Sequence, residues 1–522
     1  MPAAVLFDMD GVVTDTAAAH AAAWKRLFDE YLQRRAEREG KPFLPFDSRA
    51  DYTRYVDGKP RNEGVVSFLR SRGIELPCGA PDEGADCETV WGLSNRKDRY
   101  FHAWLETHRV RAFPGTLRLI GELQAAGIPI AVFSASLNAE VVLRSAGVLE
   151  LFDARLDGAE LSRLGLSGKP APDMLLEAAR RLNAPPAETV IVEDAIAGVQ
   201  AGRTGGFGLV VGVDRGAGHD ALNTAGAHLV VDDSGELRCV PGRGLECRRL
   251  ADLPSALDRE DGVRRRLAGR RATVFLDYDG TLTPIVQDHT RACLPAPMRA
   301  AVVRLARCCP VTIISGRDLA RLHELVALES VTLAGSHGFQ ITLPEGRGGG
   351  LEKGSEFLPL LDQAERTLRR RLADIPGHDV ERKRFSIAVH YRQVADGDVA
   401  ALRAVVDEVL KMHSQLRLGH GKKVFEIRPD VSWGKGHAVQ WILREQGLDH
   451  AGAVPLYIGD DLTDEDAFRV LAGWGICIAV RHREDRRTAA DFTLADVSEV
   501  RKLLELLPAV IRGRSSRGGE TP

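Results

Sequence analysis

The sequence predicts an α/β protein of two successive Rossmannoid domains with parallel sheets, and three observations predict it. Short apolar runs bounded by turn residues alternate with stretches of helical periodicity through both halves, the pattern of parallel sheets covered on both faces. The segment VLFDMDGVVTD at 5–15 returns as VFLDYDGTLTP at 274–284, an apolar run ending in Asp-x-Asp-Gly each time. And 522 residues are too many for one core, so two to four units of ordinary size are expected.

In chain order, AVLF, IAVFSAS, VIVED and LVVGV are the strands of the first half, and TVFLDY, VTIISG, VTLAGS and LYIGD those of the second. GTLRLIGELQAAG and LPAPMRAAVVRLARCC are among the helices between them. Each half is interrupted. Residues 16–110 are Ala-rich, charged and helical in pattern, which predicts a helical cap. Residues 350–425 carry both strands (FSIAVHYR, KVFEIRP) and helices, which predicts an α/β cap. Such insertions close over sites at the carboxyl ends of core strands. The expected boundaries are a first domain at 1–235, a polar, Arg-rich linker at 236–271, a second domain at 272–508 and a disordered tail at 509–522.

Composition narrows the function. A formal net charge of −3 favours neither nucleic acid nor a membrane surface as partner. No apolar run approaches the roughly 20 residues that span a bilayer. The first strand begins by residue 4, which leaves no room for a signal peptide, and the eight cysteines lack metal-ligand spacing. A reducing cytoplasmic location is the expectation.

The second half carries four pieces in order: Asp277 and Asp279 in LDYDGTLTP, Ser315 ending an apolar strand in TIISGR, Lys435 in WGKG, and Asp460, Asp461 and Asp464 in GDDLTDEDAF. Gathered at strand ends they supply the parts of phosphoryl transfer. Asp277 would attack phosphorus. Mg²⁺ would be held by Asp277, the main-chain carbonyl of Asp279 and Asp460. Asp279 would act as acid and then base, and Ser315 and Lys435 would ligate the phosphoryl oxygens. Asp464 is expected near the metal, as a buttress if not a ligand.

These motifs resemble the haloacid-dehalogenase-like phosphatases, and roughly 270–505 is similar to trehalose-6-phosphate phosphatases, on LDYDGTLTPI, SGR at 315–317, GSHG at 335–338, ERKRFSIAVHYR at 381–392, GKKVFEIRP at 421–429 and GDDLTDEDAF at 459–468. The resemblance implies hydrolysis of trehalose 6-phosphate with Mg²⁺. It also implies a cap grip on the distal glucose by Glu381, Lys383 and Glu426.

The first half repeats the logic. Asp8 is the expected nucleophile and Asp10 the acid/base; Ser134 and Lys169 are phosphate ligands; Asp8, Asp10, Glu193 and Asp194 are the metal group. This half resembles β-phosphoglucomutases on DGVVTDTAAAH, VDGKPR, NRKD, SAS with Asn138, GKPAPD and VEDA. The resemblance implies that Arg61 grips the non-transferring phosphate, Lys97 binds the sugar and His20 orients Asp10. The long charged cap departs from compact mutases. Hydrolysis of a sugar phosphate, or a silent sugar-phosphate-binding role, therefore stands beside mutase chemistry. The pairing of the two halves also resembles larger polypeptides in which a phosphorylase domain follows two such domains.

Overall fold

The computed structural model describes residues 1–48, 50–56, 61–285, 292–344, 349–421, 423–431, 433–481 and 485–512. The chain divides into two compact units, Met1–Cys247 and Arg248–Pro522.

Among the described residues, the first unit holds a six-stranded parallel sheet in the order Ala154–Leu156, Ile130–Phe133, Ala4–Asp8, Thr189–Glu193, Leu209–Val213, Leu229–Val231. The central strand is buried along its length. Its side chains alternate between two cores, Val5 and Phe7 on one face and Leu6 on the other, which is why it reads as a continuous apolar run. From this strand the chain first builds outward on one side and later on the other. The reversal opens a crevice at the carboxyl ends of the three central strands. The helices Ala17–Glu39, Arg61–Ser71 and Val90–Thr107 form the helical cap. The cap has an aromatic core of its own, in which Phe28 packs against Trp24, Phe46 and Phe68 at centroid distances of 4.2–5.2 Å.

Among its described residues the second unit repeats the plan with eight strands: Gly350–Glu352, Gln340–Thr342, Thr332–Gly335, Val311–Ile314, Arg271–Asp277, Ala453–Gly459, Ile476–Val480, Phe492–Leu494. Val274 and Leu276 enter one core and Phe275 the other. Its cap is a four-stranded antiparallel sheet, Asp379–Lys383, Ser386–His390, Val424–Pro429, Leu416–Gly421, backed by the helices Leu358–Leu372 and Val399–Met412. Val380, Ile387, Val389, Phe425 and Ile427 face those helices. The period of two therefore sends Glu381, Lys383, Ser386, Ala388, His390, Glu426 and Arg428 to the opposite face.

The core sheet of the second unit is parallel as expected, with Gln340–Thr342 and Gly350–Glu352 added antiparallel at one edge. Three expectations need correction. The cap starts after 352 rather than at 350, and its last strand runs to Pro429 rather than ending at 425. The stretch 236–271 is not a free linker. Leu237–Val240 and Gly244–Cys247 form a hairpin tied to the first unit by Cys239 N–H donating to Glu122 Oε2 at 2.9 Å. Residues after 247 join the second unit: Leu250 N–H donates to Arg486 O at 3.0 Å, and the helix Glu260–Leu267 buries Val263 and Leu267. Its high arginine content hid the apolar positions. The terminal helix runs Val497–Arg512, so 509–512 are helical, and the rest of the expected tail lies outside the described residues. Among the described residues no helix is long and apolar enough to cross a membrane.

Candidate active site

Register places the chemistry. In the second unit Asp277 is level with Ile314, so Ser315 is the next residue on the neighbouring strand. Leu276 is level with Ile458, which puts Asp460 just past the end of the strand on the other side. Gly280 turns the chain at φ +86° and donates its N–H to Thr283 O at 2.7 Å. A Cβ there would overlap the Asp460 carboxylate, so only glycine lets that acid approach. The first unit has the same turn: Gly11 at φ +82°, its N–H to Thr14 O at 2.9 Å, and a Cβ that would overlap Asp194.

Lys435, 3% exposed, donates from Nζ to Asp277 Oδ1 at 2.6 Å and to Asp464 Oδ1 at 2.7 Å. Asp464 sits in the first turn of the helix Leu462–Leu471, where it forms a capping box with Asp461. It also accepts the Tyr457 hydroxyl at 2.6 Å and the N–H groups of Asp460 and Asp461 at 3.0 Å each. Asp464 is thus tied to a lysine, a tyrosine and two backbone N–H groups. Burial pushes the Asp277 carboxyl well above its usual range, against the pull of Lys435 and reinforced by Asp464 and Asp460. Lys435 is pushed up: burial opposes its charge, but Asp277 and Asp464 hold it.

The first unit reproduces the arrangement. Lys169 contacts Asp8 Oδ1 and donates to Glu193 Oε2 at 2.7 Å. Glu193 thus takes the place of Asp464, and Asp194 that of Asp460. Burial and repulsion from Glu193 push Asp194 up to about 8.

Oxygen donors from Asp277, Asp460 and Asp464 lie within 4.8 Å of one another, as do those of Asp8, Glu193 and Asp194. In each set three buried or half-buried carboxyl groups face one lysine. The excess negative charge and all-oxygen donors fit a hard divalent cation such as Mg²⁺.

The expected acid/base residues lie apart from these sets. Arg317 grips Asp279 with two bonds, Nε to Oδ2 at 2.7 Å and Nη2 to Oδ1 at 2.6 Å. Asp10 accepts from Thr16 Oγ1 at 2.5 Å and Ser134 Oγ at 3.2 Å. Neither carboxylate joins the metal group through its side chain. Sequence reasoning quoted the SGR motif but gave Arg317 no role, and it passed over Thr16 and Tyr457. A long-range ion pair leaves no local spacing signal.

In the first cap, His20 lies with Nδ1 2.8 Å from Lys97 Nζ and stacks on Phe101 at 4.5 Å. The hydroxyls of Thr16 and Ser134 bond Asp10, and the partner of His20 is Lys97. Burial lowers His20 well below its usual value and Lys97 to about 7. Arg61 Nη1 is 2.9 Å from Asp98 Oδ1, and Asn138 Nδ2 donates to the same oxygen at 2.8 Å.

In the second cap, Glu381 and Glu426 stand level with Ala388 between them. Two carboxylates thus flank a small side chain on one polar face. Glu426 accepts Ser386 Oγ at 3.0 Å and has Lys383 Nζ at 3.9 Å; Glu381 pairs with His390 at 2.9 Å. Glu381, Lys383 and Glu426 thus lie on one polar face of the cap sheet.

A family model described as trehalose-phosphatase matches residues 275–498, and one described as haloacid dehalogenase-like hydrolase matches 2–206. A trehalose-phosphate phosphatase of Mycobacterium leprae is 40% identical over 409 residues, covering 75% of this chain and 91% of its own length. An uncharacterized glycosyl hydrolase of Mycobacterium tuberculosis is 40% identical over 496 residues, covering 94% of this chain; the chain spans 37% of that relative's length. A solved β-phosphoglucomutase from Clostridium difficile is 27% identical, with 45% of this chain and 92% of its own covered at a TM-score of 0.36.

Proposed function

Because this chain belongs to the trehalose-phosphatase family, with a haloacid dehalogenase-like hydrolase domain ahead of it, we propose that its second unit hydrolyses trehalose 6-phosphate to trehalose and phosphate. The observation that supports this most is Lys435 buried between Asp277 and Asp464, with Asp460 held against Gly280. Asp277 attacks phosphorus, the bond from phosphorus to the sugar oxygen breaks, and Asp279 protonates that oxygen. Asp279 then takes a proton from the water that cleaves the aspartyl phosphate. Ser315 and Lys435 hold the phosphoryl oxygens as charge spreads over them. Arg317 sets where the Asp279 carboxylate stands between these two transfers. Asp277 and Asp460 would hold Mg²⁺, which supplies charge neutralisation as the anionic phosphate meets the nucleophile. The polar face bearing Glu381, Lys383 and Glu426 suits the hydroxyl-rich, uncharged end of the disaccharide.

Phosphate release from trehalose 6-phosphate tests the reading. It is expected with Mg²⁺, to fall to background with a chelator in excess, and to return when Mg²⁺ is restored. Release that is indifferent to the chelator, or none at all, counts against it.

For the first unit we infer β-phosphoglucomutase chemistry: Asp8 as nucleophile, Asp10 as acid/base, Lys169 and Ser134 on the phosphate, and Asp8 and Asp194 as candidate metal ligands. Arg61 and Lys97 would hold the far end of the sugar. One observation favours a second reading. Arg61 is already neutralised by Asp98, which suits a substrate with one phosphate and hence plain hydrolysis. The products of β-glucose 1-phosphate decide between them. Mutase chemistry yields glucose 6-phosphate, and Arg61→Ala lowers its kcat/KM at least about tenfold through a lost charge-assisted grip. Free phosphate without glucose 6-phosphate supports the hydrolase. A silent binding unit yields neither. A cytosolic setting is consistent with eight cysteines that form no disulfide with one another.

A further inference from the structure

The loop Ser336–Gly338 joins three parts of the second unit that the mechanism treats separately. Ser336 and His337 both hold positive φ, +50° and +56°, and Gly338 follows at +89°. Successive non-glycine residues in the left-handed region are costly and persist only where the surroundings enforce them. Two hydrogen bonds enforce them here: Ser336 N–H donates to Arg317 O at 2.7 Å, and His337 N–H donates to Ser315 O at 2.9 Å. The loop is thereby strapped to the segment 315–317, which carries the phosphate ligand Ser315 and the partner of Asp279.

The strain aims one side chain. The His337 ring lies on the bare backbone of Gly316, where a Cβ would come within 2.7 Å of Cε1 and 2.8 Å of Nε2. Beyond it, Nε2 is 3.7 Å from Glu426 Oε2 on the polar face of the cap. Both side chains are largely buried, at 14% and 13% exposure. Burial lowers the imidazole from its usual value, against the opposing pull of Glu426. Burial works against the Glu426 charge, but His337, Lys383 and Arg428 together hold that carboxyl well below the usual range.

The flanking residues dock the cap to the same place. Ser336 Oγ donates to Asp318 Oδ1 at 3.0 Å, and Asp318 accepts the N–H of Arg384, at the tip of the cap hairpin, at 3.1 Å to each oxygen. Phe339 stacks on Phe385 of that tip at 5.5 Å. The carbonyl of Gly338 accepts Trp433 Nε1–H at 2.9 Å, just before Lys435.

We propose that His337 is a positioning residue that fixes the distance between the phosphate-holding segment 315–317 and the cap carboxylate Glu426. It thereby favours a sugar phosphate long enough to engage both over a short phosphate ester. The assignment rests on the trehalose 6-phosphate reading above and deepens it. The physical reason is leverage. A ring wedged between Gly316 and Glu426 acts as a spacer of fixed length, and binding energy at the distal sugar reaches the reacting phosphate only if that spacing holds.

The test compares two esters, trehalose 6-phosphate and p-nitrophenyl phosphate, in the full chain carrying Asp8→Asn so that the second unit reports. His337→Asn is the informative variant, because asparagine tolerates the left-handed backbone and is too short to reach Glu426. It is expected to lower kcat/KM for trehalose 6-phosphate at least about tenfold more than for p-nitrophenyl phosphate, mainly through KM. Glu426→Gln is expected to show the same ester preference, and the two changes together to cost far less than the product of their separate effects. Equal losses on both esters, or independent effects of the two changes, overturn the assignment while leaving the substrate reading intact. Absence of trehalose 6-phosphate hydrolysis in the parent chain overturns the substrate reading and the assignment with it.

Discussion

Asp277→Asn is expected to lower Mg²⁺-dependent phosphate release from trehalose 6-phosphate by at least about 10³-fold, as loss of a nucleophile does when no neighbour can replace it. The amide keeps the shape and loses the attacking charge. Its effect on stability has the opposite sign. Burial and the carboxylates of Asp464 and Asp460 already press Asp277 toward its neutral form, and Lys435 keeps Asp464 as partner. A neutral side chain at 277 therefore relieves buried charge, and the metal-free melting temperature should hold or rise. A phosphate assay run beside a thermal melt separates chemistry from folding. The chain carrying Asp8→Asn should keep most of this activity, because its own Lys169–Glu193 set lies in the other unit. Loss in Asp8→Asn with retention in Asp277→Asn would reverse the assignment of the two units.

Lys435→Met is the second large effect, and it strikes stability and activity together. The ammonium is the counter-ion of two carboxylates, Asp277 and Asp464, at 2.6 and 2.7 Å. Removing one partner of a buried pair leaves uncompensated charge and costs about 3–5 kcal/mol. The expected result is a lower urea midpoint for the second unit without metal, with hydrolysis near background. Adding Asp277→Asn to Lys435→Met should restore part of the midpoint, since one of the two stranded charges is then gone. An unchanged midpoint in Lys435→Met would mean that the carboxylates are neutral in the folded protein and that the lysine serves the phosphate alone.

Much of this architecture was legible because of how parallel sheets bury their strands. Ala4–Asp8 and Arg271–Asp277 are covered on both faces, so each reads as an apolar run with the reacting acid at its end. Their neighbours end at the same level, which brings Ser134 and Glu193, or Ser315 and Asp460, alongside. Strand 386–390 was legible for another reason: the large apolar Ile387 and Val389 alternate with the small or polar Ser386, Ala388 and His390, as one buried face requires. Less was legible where apolar positions are sparse. The hairpin 237–247 and the helix Glu260–Leu267 are rich in arginine and glutamate and read as a linker. The edge strand Gly350–Glu352 has three residues and one apolar side chain, too little for a pattern to register.

Sequence alone determined the doubled Asp-x-Asp-Gly plan, the order of the lysine and the later acids, and the alternating strands of the second cap. Each is written in local spacing along the chain. Tertiary structure decided which of those groups meet. It gave Asp279 to Arg317, Arg61 to Asp98, Lys97 to His20, and Glu426 to His337. Such pairings join residues 37 to 89 positions apart. Their geometry depends on strand register and on how each cap docks on its own core, and burial then sets which charges survive there. A one-dimensional pattern carries the chemistry of a side chain but not its dielectric surroundings or its partner, and those choose between ligand, buttress and spacer.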